Sequence, residues 1–202
     1  MKKLKQFTLV EILVVIAIIG ILAGLIFPAL FAVQENSRRT KTETILTSVN
    51  IAVKSFKGDY YCLPTSSADV QTIDGWNGSN IDELSPDDDY YDFFDTLTYS
   101  NHQGGSKGVT DTVKSANVKA VHYLDVPKNY FDRDNGSVRD AWDRPIVVWL
   151  DHDGDGVITI PNGKYATQER TYMSDSVAIS LGLQSADRLN DVDKVEFITV
   201  GQ

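Results

Sequence analysis

Cysteine is almost absent: Cys62 stands alone in 202 residues. One thiol forms no internal disulfide, and a metal site built on several cysteines is excluded. A lone cysteine of this kind reads as a small buried hydrophobe rather than a reactive group. Histidine is nearly as sparse. His102, His122 and His152 are scattered and never take the His-Glu-x-x-His spacing of a metal hydrolase. A Gly-x-Ser-x-Gly elbow and a glycine-rich phosphate loop are missing too, so the chain reads as a non-enzyme. Basic charge is in deficit: 19 Lys and Arg against 28 Asp and Glu leave a net charge of −9. Such a chain does not favour phosphate backbones, and nucleic acid is not expected as a partner.

What the sequence does have is a long uncharged run. Met1-Lys2-Lys3-Leu4-Lys5-Gln6 precedes Phe7-Thr8-Leu9-Val10-Glu11, and residues 12–33 carry no charged side chain. That run is about the length a helix needs to cross a hydrocarbon core. The lysines before it hold the N-terminus in the cytoplasm. It exceeds the 7–15-residue apolar region of a secretory signal peptide, and Val33-Gln34-Glu35-Asn36 is no cleavage site. Glu11 is the odd residue. A carboxylate at the mouth of a membrane helix needs a partner or a task. A cut between Gln6 and Phe7 would supply one, because Phe7 would then bear a free amine.

Residues 5–33, from Lys5-Gln6-Phe7-Thr8-Leu9-Val10-Glu11 through Gly20-Ile21-Leu22-Ala23 to Pro28, resemble the class III signal of type IV pilins and type II secretion pseudopilins. The resemblance implies that a membrane-embedded prepilin peptidase cleaves before Phe7 and methylates the new terminus. It also implies that Glu11 pairs with the Phe7 amine of an adjoining subunit, and that Pro28 is the helix-kinking proline. One departure stands out: Gln6 occupies the place where the family has glycine. Gly20 and Gly24 are spaced for close helix approach.

Residues 34–57 are polar apart from a stripe at Ile45, Val49, Ala52 and Phe56, the spacing of one helix face. Gln34, Glu35, Arg38, Arg39, Lys41 and Glu43 form its solvated side. Gly58-Asp59 is expected to stop this helix. Residues 65–89 read as a long loop and 100–115 as a Gly/Ser/Thr-rich connection. Between them Tyr90, Phe93, Phe94 and Leu97 share a helix face. Val121-His122-Tyr123-Leu124 reads as a short strand or helix end. Residues 145–150 are the best strand in the chain, and 157–160, 176–180 and 195–200 are further candidates. Their short spacings favour antiparallel pairing.

Two acidic stretches carry cation chemistry. In Asp151-His152-Asp153-Gly154-Asp155-Gly156, the alternate carboxylates of Asp151, Asp153 and Asp155 can turn oxygen onto one hard cation, and Gly156 permits the tight turn. Ile158 sits where an EF-hand loop has its hydrophobic residue, but Asn162 replaces the bidentate twelfth ligand. The competing reading is an acidic hairpin turn. The second stretch, 181–193, resembles the C-terminal calcium loop of the major pseudopilin, with Asp187, Asp191 and Asp193 as its candidate ligands. Calcium is the expected cofactor. Asp140-Ala141-Trp142-Asp143-Arg144-Pro145 resembles the Asp-Pro-Trp-Gly-x-Pro turn that opens the pseudopilin sheet, with Ala141 and Asp143 as replacements. Asp tolerates the left-handed backbone that such a turn requires.

The expected fold is α+β: a long N-terminal helix, membrane-spanning below and amphipathic above, packed on a small antiparallel sheet. The expected organisation is a leader at 1–6, a transmembrane and polymerisation helix at 7–33, an amphipathic continuation at 34–57, and a globular domain at 58–202. That domain divides into a loop region at 58–117 and a sheet region at 118–202. The resemblance implies a structural subunit of a pilus-like or pseudopilus filament. It would be a single-pass protein of the inner membrane with its domain outside the cytoplasm. Implied partners are copies of itself, other pseudopilins, the prepilin peptidase, the inner-membrane assembly platform and membrane lipid. The alternative is a membrane-anchored binding domain that never polymerises.

Overall fold

The structure, a computed structural model, describes residues 9–65, 72–74, 88–100, 109–132, 137–160, 169–180 and 198–200. The chain forms two compact units, Met1–Arg38 and Arg39–Gln202. Helix α1 covers Leu9–Tyr60 and is helical across position 28. The amphipathic reading of its upper part holds: Ile45, Val49, Ala52 and Phe56 are all buried. Leu46 and Val53 join them, so the apolar stripe is two residues wide and fits a helix lying on a layer rather than in a narrow seam.

Gly58 and Asp59 do not end α1. The helix continues to Tyr60 because its last turn is fastened by side chains. The Tyr60 ring stacks on Phe56 at 4.6 Å. Its hydroxyl donates to Asn117 Oδ1 at 3.0 Å and accepts from the Lys119 amide at 2.8 Å. Tyr123 donates to Asp59 Oδ2 at 2.6 Å, which holds the Asp59 carboxyl below its ordinary range. The turn out of the helix comes at Tyr61, with φ 58°. That turn carries Cys62 to the surface, so the expectation of a buried thiol fails.

Strand β1 (Thr72–Asp74) follows, inside the stretch read from sequence as loop. Helix α2 (Asp88–Thr98) comes next, and Tyr90, Phe93, Phe94 and Leu97 are fully buried on one face, as their spacing predicts. Helix α3 (Asp111–Ala116) lies in the segment expected to be a connection. Its single turn and a half is set by Thr110, whose hydroxyl accepts from the Val113 amide, and by burial of Val113. Residues 121–124 are neither strand nor helix. The Tyr123 and Leu124 amides both donate to the Leu97 carbonyl, so this segment runs as a strap over the end of α2.

A 3₁₀ turn (Lys128–Tyr130) leads into β2 (Phe131–Asp132), which pairs with β3 (Ser137–Val138). Then come β4 (Val147–Leu150), β5 (Ile158–Ile160), β6 (Arg170–Tyr172), β7 (Ser176–Ser180) and β8 (Ile198–Val200). The main sheet has the order β1-β4-β7-β8, with every pair antiparallel. β5 pairs with β6 in a separate ribbon. This is the expected α+β fold of a long helix and a small antiparallel sheet. Ile146, Val148, Leu150 and Ala178 share one core with the stripe of α1 and the aromatic face of α2. The alternating partners Val147, Val177 and Ile179 are buried as well, so the central strands are covered on both faces.

Candidate functional site

The first unit presents one feature, an uncovered apolar rod. Every large apolar side chain described between Leu9 and Val33 is exposed, Leu9 at 81% and Leu25 at 73%. The most apolar window of α1 has a mean hydropathy of 3.0, and none of it is buried. The helix is long and apolar enough to cross a membrane. An apolar surface of this extent is the kind that lipid or other helices cover. Glu11 lies in the first turn of α1, where the positive end of the helix dipole favours a carboxylate. A Cβ on Gly20 or Gly24 would meet nothing within 4 Å, so the side of the rod bearing both is open to close approach. Gln6 and Phe7 lie outside the described residues, as do the side chains at positions 28 and 29.

The second unit holds the acidic loop between β4 and β5. The hairpin reading fails on topology: β4 pairs with β1 and β7, while β5 pairs with β6. The loop therefore links two sheets instead of closing one. Gly154 and Gly156 take φ of +73° and +79°, a region that side chains disfavour. These turns bring Asp151, Asp153 and Asp155 together, each offering a carboxylate oxygen within 4.8 Å of the others. Asp155 Oδ1 accepts from the Val157 amide at 2.7 Å, and Asp151 Oδ2 accepts from Gly156 at 3.2 Å.

Asp153 and Asp155 are exposed, but Asp151 is only 3% exposed. Its Oδ1 is buried without a hydrogen-bond partner among the described residues. An orphaned, buried carboxylate oxygen is costly. Its place among two further carboxylates fits a hard cation with oxygen ligands. Asp187, Asp191 and Asp193, the second candidate set, lie outside the described residues.

Sequence reasoning missed Lys57. From the last turns of α1 its ammonium reaches Asp175 Oδ1 at 2.6 Å and Asp151 Oδ2 at 3.4 Å. The hydrogen bond to Asp175 is the chief cause of a raised Lys57 pKa. This pairing contributes fully below the unfolded value and is lost as pH climbs through the raised one, so it is intact at neutral pH. The only sequence signal was a basic residue ending an amphipathic helix, a pattern too common to single out.

The turn at 140–145 is architecture, as read. Asp143 takes φ 65°. Asp140 is buried and its carboxylate accepts from the Trp142 and Arg144 amides at 2.8 and 2.9 Å and from the Ser180 hydroxyl at 2.6 Å. Burial still pushes the Asp140 carboxyl up, outweighing these donors. Trp142 packs on the core.

Known proteins give the geometry its context. The chain is 36% identical over 73 residues to the type II secretion system core protein G of Klebsiella pneumoniae. It is 34% identical over 71 residues to that of Escherichia coli (strain K12), and 32% over 73 to that of Vibrio cholerae. These matches cover 36%, 35% and 36% of this chain and 52%, 49% and 50% of the relatives. The chain thus spans about half the length of the curated relatives it matches. No family model matches, and no solved structure does. The relatives bear out the resemblance to type II secretion pseudopilins over a third of the chain, and the α+β fold of long helix and small sheet is consistent with it.

Proposed function

We propose that this chain is a structural subunit of a type II secretion pseudopilus, assembled from the inner membrane through its N-terminal helix. The observation that carries the reading is the bare apolar rod with one carboxylate in its first turn. A prepilin peptidase cuts between Gln6 and Phe7 and methylates the new amine. The subunit waits in the bilayer with its domain outside the cytoplasm. An inner-membrane platform then extracts it, and the apolar helices of successive subunits, with those of other pseudopilins, cover one another. Glu11 answers the Phe7 amine of its neighbour, which sets the stagger, and Pro28 loosens the helix where it bends into the bundle. Mass spectrometry of the purified protein tests this. A chain beginning at N-methylated Phe7 is expected, and one that retains Met1–Gln6 in cells with an active peptidase would overturn it.

The acidic loop belongs to the same reading. Calcium bound by Asp151, Asp153 and Asp155 would neutralise the orphaned Asp151 oxygen and lock the link between the two sheets. The ion supplies charge and coordination, and the fold supplies the cluster. The detergent-solubilised chain should melt several degrees higher in millimolar calcium than in chelator, since a ligand specific to the native state stabilises it by mass action. Superimposable melting curves would remove the calcium claim and leave the filament reading standing.

A further inference from the structure

Lys57 already occupies one side of Asp151, and this gives the acidic loop a second cation to reckon with. Its ammonium lies between two carboxylates, 2.6 Å from Asp175 and 3.4 Å from Asp151. The Asp151 side chain is almost wholly buried, whereas that of Asp175 is about a third exposed. One oxygen of Asp151 is thus shared with Lys57 and Gly156, while the other faces no donor among the described residues. A cleft lined by Lys57, Asp151, His152, Asp153 and Cys62 opens the same place to solvent.

We infer that Lys57 is a built-in competitor for the cation: it neutralises Asp151 while the loop is empty and yields that carboxylate to a divalent ion, keeping its grip on Asp175. The inference rests on the calcium reading of the loop. Its physical basis is charge. Within contact distance, Lys57 is the only described cation bonded to Asp151, and a doubly charged ion on the opposite oxygen would sit a few ångströms from that ammonium. Like charges so placed repel strongly at low salt and less as screening grows. The short Asp175 bond means that α1 stays fastened to the β6–β7 turn when the longer bond lengthens. The exchange therefore changes the affinity of the loop without releasing the helix.

The test is calorimetric titration of calcium chloride into the full chain in detergent micelles. Lys57→Met removes the competing charge and should bind calcium about tenfold more tightly than the parent at low salt, the gain shrinking in high salt. Its melting point in chelator should meanwhile fall. Lys57→Arg keeps the charge and should bind as the parent does. Asp175→Asn leaves the ammonium only Asp151 among its described carboxylate partners and should bind more weakly, which keeps the competition measurable if Lys57→Met does not fold in chelator. A residue that merely braces the loop would give weaker binding in Lys57→Met, and that result, or unchanged affinity in either Lys57→Met or Asp175→Asn, overturns the inference while sparing the calcium site. No binding by the parent sinks both.

Discussion

Replacing Glu11 by alanine should leave the protein in the membrane fraction at its normal level and reduce sheared filaments to background. The apolar run of α1 is untouched by the change, so insertion persists. What goes is the one carboxylate in the first turn of the rod. In a filament the amine of an incoming Phe7 would then enter an apolar helix bundle without a counter-charge, and an uncompensated charge in such surroundings costs several kcal/mol. On the proposed filament reading, that cost recurs at every subunit contact and should stop growth. Comparing membrane and sheared fractions by immunoblot checks it. Filament yield at the parental level would argue that Glu11 serves some other purpose.

The second large effect is expected at Phe56. Its ring is wholly buried, 4.6 Å from Tyr60 and 5.4 Å from Tyr123, and it belongs to the core that α1 shares with α2 and the sheet. Phe56→Ala should cost about 3–5 kcal/mol, the usual range for truncating a buried aromatic. In a domain of this size that corresponds to a melting point lower by about 10 °C. Ile51, on the same helix but 58% exposed, is the control: Ile51→Ala should shift stability by about 0.5 kcal/mol or less. Equal losses at the two positions would mean that α1 does not lie on the sheet by the face described.

The parts of the fold legible in the sequence are those where one periodicity runs long enough to be counted. The stripe of α1 and the aromatic face of α2 repeat over successive turns, β4 is an unbroken apolar run, and β7 carries Val177, Ala178 and Ile179 between two serines. Among the elements of two or three residues, β5 and β8 fall inside runs read as strands, whereas β1, β2, β3 and β6 escaped. β1 is Thr-Ile-Asp and owes its existence to pairing with β4, while β2 and β3 exist through each other. Two or three residues are too few for a period-2 pattern to stand out in such strands. Cys62 was misplaced because its exposure follows from the left-handed turn at Tyr61, and a tyrosine gives no warning of such a turn. In the acidic loop, the alternation of Asp151, Asp153 and Asp155 was readable because the three carboxylates are neighbours in sequence. Lys57 and Asp175 were not, since only the packing of α1 on the sheet brings them there.

Three polar fastenings recur along the buried side of α1. The Thr42 hydroxyl accepts from the Ala141 amide, Asn50 accepts from the Ser176 hydroxyl, and Lys57 holds Asp151 and Asp175. Greasy side chains alone would tolerate a screw displacement of the helix by one turn, about 5.4 Å, because each would drop into the next hollow. Here the same slip would strand hydrogen-bonding groups at all three heights at once. The sheet is therefore keyed to the 42–57 stretch of α1 at a single setting, like a lock whose three pins must all align.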